Sequence, residues 1–592
     1  MPHDPTLALP VPVPPVLDLK GPSDTLAYAG AARPRPFLLL TRGCSARGVE
    51  TRGVETVEMD GRFLLGGLGI AGASCGNVLL APTEARRELV GRGGTLLETL
   101  LVTPEGLIAQ WMPAPEQSEA RVVLRLPGER WRTDGPLLGA AAADGARLLQ
   151  ILPEPTWSVR EERGELVVTA LVSVREGVRM VASMGSDGVE AAARLRRLTA
   201  ARAVQAESAL VALRTRRLAT NTGVADIDDA LAWAIARADA VGEAENAIVH
   251  ELAHGEPFPT DPDARRAWTV LGQLASGRTE RPRLSPDTPL GLYALARAAE
   301  WRGEPISRET RAALDSEGDR ALKGAAAAVQ RAALLVVADV IEPWEGKPAA
   351  ETLRARASRL AAAAPRPGGL RLPTIGASGG LAASAPSVDP LAALTGAALD
   401  LPGHAPLGAQ GEDPPPGVLR ALTAWACLND GLLDRGFALF RQHLADGFTE
   451  GVGLWSDGGR IHDPCAAALV PLVLLHGLIG ARIDAHHGRL RLAPRLPTNW
   501  NRFSVGGIVI GDATVRMSYD LADGRHRFRF VQDSGAVPVM LVFEPLVAAG
   551  PNPEAWVDGA RADLETSAAH GRLQAKVQLP LDREREVAIA TG

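Results

Sequence analysis

The sequence predicts a multidomain α+β protein in which an antiparallel β-sandwich, an array of helices and a smaller β-sandwich follow one another. Three observations support this fold class. Short runs with alternating apolar residues fill residues 36–184, a helical period of apolar residues extends to residue 481, and alternating strands return in residues 482–592. The length of 592 residues suits several units, each with its own core.

The N-terminal part predicts an extended arm followed by the first sandwich. Residues 1–35 are rich in proline, which favours an extended chain. In residues 36–184, runs such as RFLLGGL, LIAQWM, RVVLRL and ELVVTALVSV are separated by Gly, Pro and Asp turns at short intervals. This pattern is typical of an antiparallel β-sandwich.

The middle of the chain predicts a linker helix over residues 185–221 and a helical domain over residues 222–481. Nine or ten helical segments joined by Gly- and Pro-rich loops form a bundle, a solenoid or a toroid. The segments lack a fixed period of 34 or 40 residues, which disfavours a regular solenoid. Asp226 or Asp228 is placed to favour the start of the first of these helices.

Composition excludes several classes of partner. The net charge of -6 is small for this length, so we expect neither nucleic acid nor an anionic membrane as a partner. The most apolar stretch, Cys465 to Ala481, contains Pro471 and His476 and is shorter than the roughly 20 residues that span a bilayer, which predicts a buried helix. The first residues lack the basic region of a secretory signal, and we expect a soluble, cytoplasmic protein.

The sequence predicts no cofactor. It contains no phosphate-cradling loop, dinucleotide fingerprint or nucleophile elbow. The four cysteines are scattered without a C-x-x-C pair, so we expect small core residues rather than a disulfide framework or a thiolate metal site. The dominance of Arg over Lys, with abundant Ala and Gly, is typical of a GC-rich bacterial genome.

One short motif indicates a different chemistry. His250-Glu251-Leu252-Ala253-His254 matches H-E-x-x-H, which on a helix places two histidines on one face for zinc and a glutamate as general base. The continuation G-x-x-H is absent, and the next predicted helix, RRAWTVLGQLASG, offers no carboxylate as a third ligand. A zinc metallopeptidase using His250 and His254 therefore remains a minor alternative, and the main prediction includes no metal.

The junction between the helices and the last strands carries a family resemblance. HGLIGARIDAHHGRLRLAPRLPTNWNRFSVGGIVIGDATVRMSYD resembles the end of the catalytic domain in glucoamylase-like and glycogen-debranching-type glycoside hydrolases. The matching features are a turn at Gly480, a strand at Leu490 to Leu492, and a P-x-L-P-x-x-W element at Pro494 to Trp500. The resemblance implies that residues 222–481 form an (α/α)6 toroid, complete or incomplete, between the two β domains.

The same resemblance implies a set of site residues in a late segment. GFTEGVGLWSDGGRIHDPCAAAL, residues 447–469, is similar to the family segment that carries the catalytic base, which places Glu450 in that role. Trp455 would stack on a sugar ring, and His462 and Asp463 would contact the substrate.

Two earlier segments supply the remaining candidates. SPDTPLGLYALARAAEWRGEP, residues 285–305, resembles the D-x-T-P-L helix that lines the sugar site, so Asp287 either contacts substrate or caps its helix. In the segment ALDSEGD, Asp315 or Glu317 is the candidate general acid.

The resemblance implies a glycosidase that acts on α-glucosidic or related oligosaccharides with two carboxyl groups, one as acid and one as base. The family's aromatic F-G-R-D loop is absent from VGEAENAIVHELAHGEPFPTD, and its late Q-A-W-S has become Asp463-Pro464-Cys465-Ala466. A catalytically degenerate member that binds carbohydrate or has a structural role is therefore the alternative. In both cases the partner is a carbohydrate.

Overall fold

The computed structural model describes residues 17–590 except for 20–37, 42, 48–52, 82–83, 92–93, 114–118, 128–129, 163–164, 200–217, 241–261, 277–283, 287, 317–324, 362–416, 447–463, 498–499, 549, 551–552 and 570. Within these residues it is a mixed structure with several β-sheets and ten α-helices.

The N-terminal part is built of antiparallel strands. They are β1 Leu17–Leu19, β2 Leu38–Thr41, β3 Cys44–Arg47, β4 Thr56–Met59, β5 Arg62–Leu65, β6 Gly67–Ile70, β7 Ala73–Leu80, β8 Glu84–Gly91, β9 Gly94–Thr103, β10 Gly106–Pro113, β11 Glu119–Leu126, β12 Trp131–Asp134, β13 Leu137–Ala142, β14 Gly145–Leu152, β15 Thr156–Glu162, β16 Glu165–Ser173 and β17 Val178–Gly185. They form three sheets, ordered β1-β7-β8-β9-β10-β17-β14-β13-β12, β15-β16-β11-β6 and β2-β3-β4-β5.

The alternation along these strands explains their packing. In β8, Ala85, Arg87 and Leu89 are buried while their neighbours are more exposed, as expected for a strand with one face in the core. Arg87 is fully enclosed and donates from Nε to Glu98 Oε2 at 2.5 Å. The indole of Trp111 donates to the other oxygen of Glu98 at 2.9 Å, so a buried polar group is satisfied inside an apolar core.

Helix α1, Gly188–Thr199, packs against this part of the molecule. Its Leu195 and Leu198 form a small apolar cluster with Leu101, Ile108 and Val181 of the strands. The hydroxyl of Ser183 in β17 donates to the carbonyl of Ala191 at 2.9 Å. The rest of the predicted linker helix, residues 200–217, lies outside the described residues.

The central part is helical. The helices are α2 Ala225–Ala240, α3 Pro262–Ala275, α4 Pro289–Arg302, α5 Arg308–Ser316, α6 Ala325–Glu345, α7 Lys347–Ala361, α8 Val418–Asn429, α9 Leu433–Asp446 and α10 Pro464–Leu472. A π-helical segment, Val473–Leu478, continues α10. The predicted helix at residues 389–399 lies outside the described residues.

The start of α2 is held by Asp228, one of the two predicted acidic residues. Its carboxylate accepts hydrogen bonds from the hydroxyl of Thr220 at 2.9 Å and the backbone N–H of Thr222 at 3.1 Å. Asp228 therefore ties the helix to the segment before it. The side chain of Asp226 is outside the described part.

The apolar stretch from Cys465 to Ala481 is a buried helix, as predicted. All its residues are buried except His476, which is partly buried. Among the described helices, none combines the length and the apolar composition needed to cross a membrane. Cys44, Cys427 and Cys465 are buried thiols outside any disulfide, as predicted for core residues, whereas the side chain of Cys75 is outside the described part.

The C-terminal part returns to strands. They are β18 Ala219–Asn221, which joins from before α2, then β19 Arg482–Asp484, β20 Arg489–Leu492, β21 Arg502–Ile510, β22 Ala513–Ala522, β23 Arg525–Ser534, β24 Val539–Phe543, β25 Leu546–Val547, β26 Glu554–Val557, β27 Ala560–Ala562, β28 Glu565–Ala569, β29 Arg572–Leu581 and β30 Glu584–Ala590. One sheet has the order β18-β21-β22-β23-β30-β26-β27 and the other β19-β20-β24-β29-β25, with β28 beside β29.

Gly480 makes the turn from the last helix into these strands. Its φ of 62° lies in the left-handed region, and a Cβ there would lie 2.4 Å from the carbonyl oxygen of Ala493. The P-x-L-P-x-x-W element ends on Trp500, which packs edge-on against Phe437 of α9 and stacks on Phe503 of β21. This junction fixes the helices against the C-terminal sheets.

Candidate active site at the loop end of the helices

The helices have one end at the C-terminal strands, here called the sheet end, and an opposite end, here called the loop end. Trp301 of α4 marks the sheet end, because its carbonyl accepts a hydrogen bond from Gly511, after β21, at 2.9 Å. Trp301 stacks on His476, with ring centroids 5.1 Å apart. The segment that continues α10 also ends at the sheet end, because Ala493, which follows β20, donates to the carbonyl of Ile479 at 3.1 Å. Trp301 and His476 each come twelve residues after the first residue of their helix, so α4 and α10 run parallel and both begin at the loop end.

Two more helices begin at the loop end. Asn429, the last residue of α8, accepts a hydrogen bond from Arg495, which follows β20, at 2.6 Å. Near the end of α6, the indole of Trp344 donates to His486 at 3.3 Å. Because both helices reach the sheet end with their last turns, their first residues, Val418 and Ala325, are at the loop end.

Three of the intervening helices run the opposite way. His443, near the end of α9, lies 3.0 Å from the carbonyl of Ala466 at the start of α10. Gly272, near the end of α3, approaches the backbone of Ala468 so closely that a Cβ would lie 2.1 Å from its carbonyl oxygen. Arg311 in the first turn of α5 pairs with Glu345 at the sheet end, at 3.0 Å. Helices α3, α5 and α9 therefore end at the loop end.

Helix α7 completes the pattern. Arg354 of α7 pairs with Asp339 of α6 at 2.8 Å, and α7 follows α6 after a single residue, so the two helices are antiparallel. Four connections therefore join two helix termini at the loop end: residues 276–288, 317–324, 362–417 and 447–463.

The predicted site residues belong to these connections. Residues 447–463 hold Glu450, Trp455, His462 and Asp463, residues 276–288 hold Asp287, and Glu317 directly follows α5. All six lie outside the described residues, and Asp315 lies in the last turn of α5 with its side chain outside the described part. The described structure gives no distances between these side chains. It shows only that the helix termini flanking their segments lie at the same end of the helices.

The metal motif has a different position in the chain. His250 and His254 lie in residues 241–261, between α2 and α3, outside the described residues. Within the part of the chain that the structure describes, no group of three or more His, Cys, Asp and Glu residues could hold a metal ion.

Helix α4 has its own cap at the loop end. The hydroxyl of Thr288 accepts a hydrogen bond from the backbone N–H of Gly291 at 3.2 Å, and Pro289 occupies the first helical position. The capping role considered for Asp287 therefore belongs to Thr288. The role of Asp287 in contacting substrate stays a prediction.

Helix termini of both signs lie at the loop end. Helices α4, α6, α8 and α10 begin there, with a partial charge of roughly +0.5 at each N-terminus, and α3, α5, α7 and α9 end there, with roughly −0.5 at each C-terminus. The two sets offset each other, so the backbone favours an anion only where it lies directly beside a helix N-terminus.

Nearer the sheet end, aromatic residues fill the space between the helices. His476 is stacked by Trp301 on one helix and by Trp425 of α8, with a centroid distance of 5.9 Å to the latter. Trp268 of α3 meets Trp425 edge-on, also at 5.9 Å. Burial lowers the pKa of His476 to about 4, so the ring is neutral near pH 7 and packs as an uncharged aromatic side chain.

Sequence reasoning missed one group of polar residues. Tyr293, Arg297 and Glu300 on α4 line a cavity of about 490 Å³ at the sheet end, together with residues of α6, α7 and β19. The spacing of these residues places them on one face of a helix that is otherwise almost wholly apolar. This polar face could have been recognised in the sequence as a candidate binding surface. A second cavity, beside Phe437 and Trp500, measures about 230 Å³ and is below the usual size of a ligand pocket.

Comparison with solved structures finds proteins of similar fold. A protein provisionally named as a kojibiose phosphorylase, from the human microbiome, matches with a TM-score of 0.54 and 8% identity, over 92% of this chain and 96% of that one. Looser similarities are a bacterial glucoamylase complexed with acarbose (TM-score 0.47, 9% identity, 74% of this chain and 93% of that one) and the GH92 glycosyl hydrolase ccman5 (0.42, 11%, 89% and 92%).

No protein-family model matches the sequence, and a search of curated proteins finds no significant match. At 8% identity, the match to the phosphorylase concerns the fold. The chain therefore shares the overall fold of that protein along 92% of its length.

Proposed function

We propose that this protein cleaves α-glucosidic or related oligosaccharides at the loop end of its helices. The observation that carries the proposal is that the described helix termini on either side of four connections lie at this end, among them the termini that flank the segments of Glu450, Asp287 and Glu317. The fold similarity to a protein provisionally named as a kojibiose phosphorylase supports it. In this proposal the helices close into an (α/α)6 ring around the saccharide site, as the resemblance to glycogen-debranching-type enzymes implies.

The chemistry requires two carboxyl groups. Glu450 is the general base that activates water, and Asp315 or Glu317 is the acid that protonates the leaving oxygen. An inverting mechanism places the two groups about 6.5–9.5 Å apart so that water fits between base and sugar. Asp287, Trp455, His462 and Asp463 bind and orient the sugar.

A second candidate, a carbohydrate-binding protein without catalysis, has one observation in its favour. Cys465 and Ala466 stand where the family segment has Trp and Ser, and they are 1% and 0% exposed in the first turn of α10. These two side chains face the core, so they cannot contact a sugar. A loss of this kind at the acid or the base position would abolish cleavage and leave the remaining site residues to bind the sugar.

A direct assay separates the candidates. The purified chain is incubated with α-linked glucose disaccharides and a chromogenic α-glucoside, with and without inorganic phosphate, to detect hydrolysis and phosphorolysis. The variant E450Q is expected to lower kcat by about 10²- to 10⁴-fold, the usual contribution of a general acid or base. The matched control is E351Q, which alters an exposed carboxylate on α7 and should leave kcat unchanged.

Each outcome decides between the candidates. Cleavage that falls in E450Q and persists in E351Q supports the proposal. Saccharide binding without cleavage under either condition supports the binding protein. Cleavage that is unchanged in E450Q contradicts the role of Glu450, and the absence of both binding and cleavage contradicts both candidates.

A further inference from the structure

The cavity at the sheet end has the size of a ligand site. Its volume of about 490 Å³ lies within the roughly 300–1,000 Å³ of small-molecule pockets. Helices α4, α6 and α7 form one side, and β19 and the start of β20 form the other. It is separate from the loop end, where these helices have their opposite termini.

A buried ion pair in this cavity keeps unused hydrogen-bonding capacity. Arg297 donates from Nη1 to Glu300 Oε2 at 2.5 Å and from Nε to the hydroxyl of Tyr293 at 2.9 Å. A guanidinium has five N–H donors, so three remain without a partner among the described residues. Glu300 is 8% exposed, and its Oε1 accepts no hydrogen bond from any described residue.

Such an ion pair contributes little to the stability of the folded protein. Removing two charges from water costs several kcal/mol each, and apolar residues of similar size stabilise a core equally well or better. Burial raises the pKa of Glu300, although the neighbouring Arg297 opposes this effect. Buried charged groups that line a cavity and retain free donors and acceptors are typical of a binding site.

The charges around the cavity cancel. Its lining holds four guanidinium groups and four carboxylates, from Arg297, Arg354, Arg482, Arg489, Glu300, Asp339, Glu342 and Asp484. An inorganic anion or a metal cation would meet repulsion from half of these groups. A neutral ligand rich in hydroxyl groups fits both kinds, because each hydroxyl donates one hydrogen bond and accepts others.

An exposed aromatic residue contacts the short segment between two lining residues of the cavity. Trp344 is 56% exposed, which is unusual for so large an apolar side chain. It follows the lining residue Glu342 on α6 and donates to His486, which lies between the lining residues Asp484 and His487. An indole face at the rim can cover the C–H face of a sugar ring while the charged groups bind its hydroxyls.

We propose that this cavity is a second binding site and that its ligand is a neutral mono- or disaccharide. The ligand's hydroxyls accept from the free N–H groups of Arg297 and donate to Oε1 of Glu300, and Trp344 packs against its ring. The inference stands whether or not the loop end is catalytic, because it depends on the lining of this cavity alone.

Hydrogen exchange measured by mass spectrometry tests the site locally. The full chain is exchanged with and without 50 mM maltose or glucose, and with inorganic phosphate and magnesium chloride as charged probes. The sugars should protect peptides that cover residues 482–492 and 335–345, and the charged probes should not. The variant L335W, which fills the cavity without altering a charged group, should abolish this protection, and E300Q should weaken sugar binding at least tenfold.

The controls separate this site from the loop end. V189W adds an indole on the exposed surface of α1 and should leave protection unchanged, and E450Q should also leave it unchanged. Thermal unfolding confirms that each variant is folded. Protection that persists in a folded L335W, protection by phosphate but not by sugars, or no protection of these peptides in the parent protein overturns the proposal. Loss of cleavage in E450Q with unchanged protection here would leave both proposals standing independently.

Discussion

His476 lies face to face with Trp301, with ring centroids 5.1 Å apart and an interplanar angle of 18°. This contact joins the sheet-end parts of two parallel helices, α4 and α10. Because both helices begin twelve residues earlier, the contact also aligns their first residues at the loop end. The packing of one buried ring pair thus helps to determine where the segments of Asp287 and Asp463 join the helices.

Replacing His476 with Phe should reduce the loss of stability on acidification. The pKa of His476 is lowered to about 4 by burial, whereas a histidine in the unfolded chain titrates near 6.5. As the pH falls from about 6.5 to 4, the unfolded state binds a proton that the folded state does not, so this group lowers the free energy of unfolding by about 3 kcal/mol. The difference is absent above about pH 7.

Denaturant unfolding at pH 7 and pH 5 measures this effect. H476F loses the hydrogen bond to Ala481 and should be less stable by about 1 kcal/mol at pH 7. Between pH 7 and pH 5, the free energy of unfolding of H476F should fall by less than that of the parent protein. Equal losses in both proteins would show that His476 does not titrate abnormally.

Replacing Gly480 with Ala should destabilise the junction between the helices and the C-terminal strands. Gly480 has a φ of 62°, and an added Cβ would clash with the carbonyl oxygen of Ala493 at 2.4 Å. Gly488 is a matched control, because its φ is 58° and no heavy atom lies within 4 Å of an added Cβ. G488A should lower the free energy of unfolding by about 1 kcal/mol through backbone strain. G480A should lower it further because of the added clash.

The two variants are compared by their thermal unfolding midpoints. A lower midpoint for G480A than for G488A supports the close approach of Gly480 to Ala493. Equal midpoints would mean that the left-handed backbone, and not the contact, is the whole constraint.

Replacing Glu98 with Gln should destabilise the N-terminal sheets strongly. The variant removes the carboxylate charge that faces the enclosed guanidinium of Arg87, and breaking a buried ion pair typically costs about 3–5 kcal/mol. E84Q removes an acidic group of the exposed pair Glu84–Arg86 and should change stability by less than about 1 kcal/mol. Similar unfolding free energies for the two variants would contradict the importance of the buried pair.

The sequence predicted the classes of structure better than their arrangement. Alternating apolar residues identify strands such as β8, and a period near 3.6 identifies helices such as α4, because both patterns record burial of one face. The direction of each helix depends on contacts between residues far apart in the chain, such as His443 with Ala466 or Gly272 with Ala468. A pattern within one segment carries no information on such contacts.

The candidate sites show the same limit. The role of Thr288 as the cap of α4 was open from sequence, because Asp287 is an equally good capping residue by type. The pairing of Arg297 with Glu300 follows from their helical spacing. The cavity beside them also requires β19, which begins at Arg482, 182 residues after Glu300, and no local sequence pattern predicts that this strand lies beside α4.

The proposed two-carboxylate site is tested by the distance between two carboxyl groups in a crystal structure of the protein soaked with maltose. The groups are those of Glu450 and the nearer of Asp315 and Glu317. We expect a separation of about 6.5–9.5 Å at the loop end, with the sugar bound between them. Carboxyl groups farther apart or on different faces of the helices, or His250 and His254 holding a metal with a third protein ligand, would contradict it.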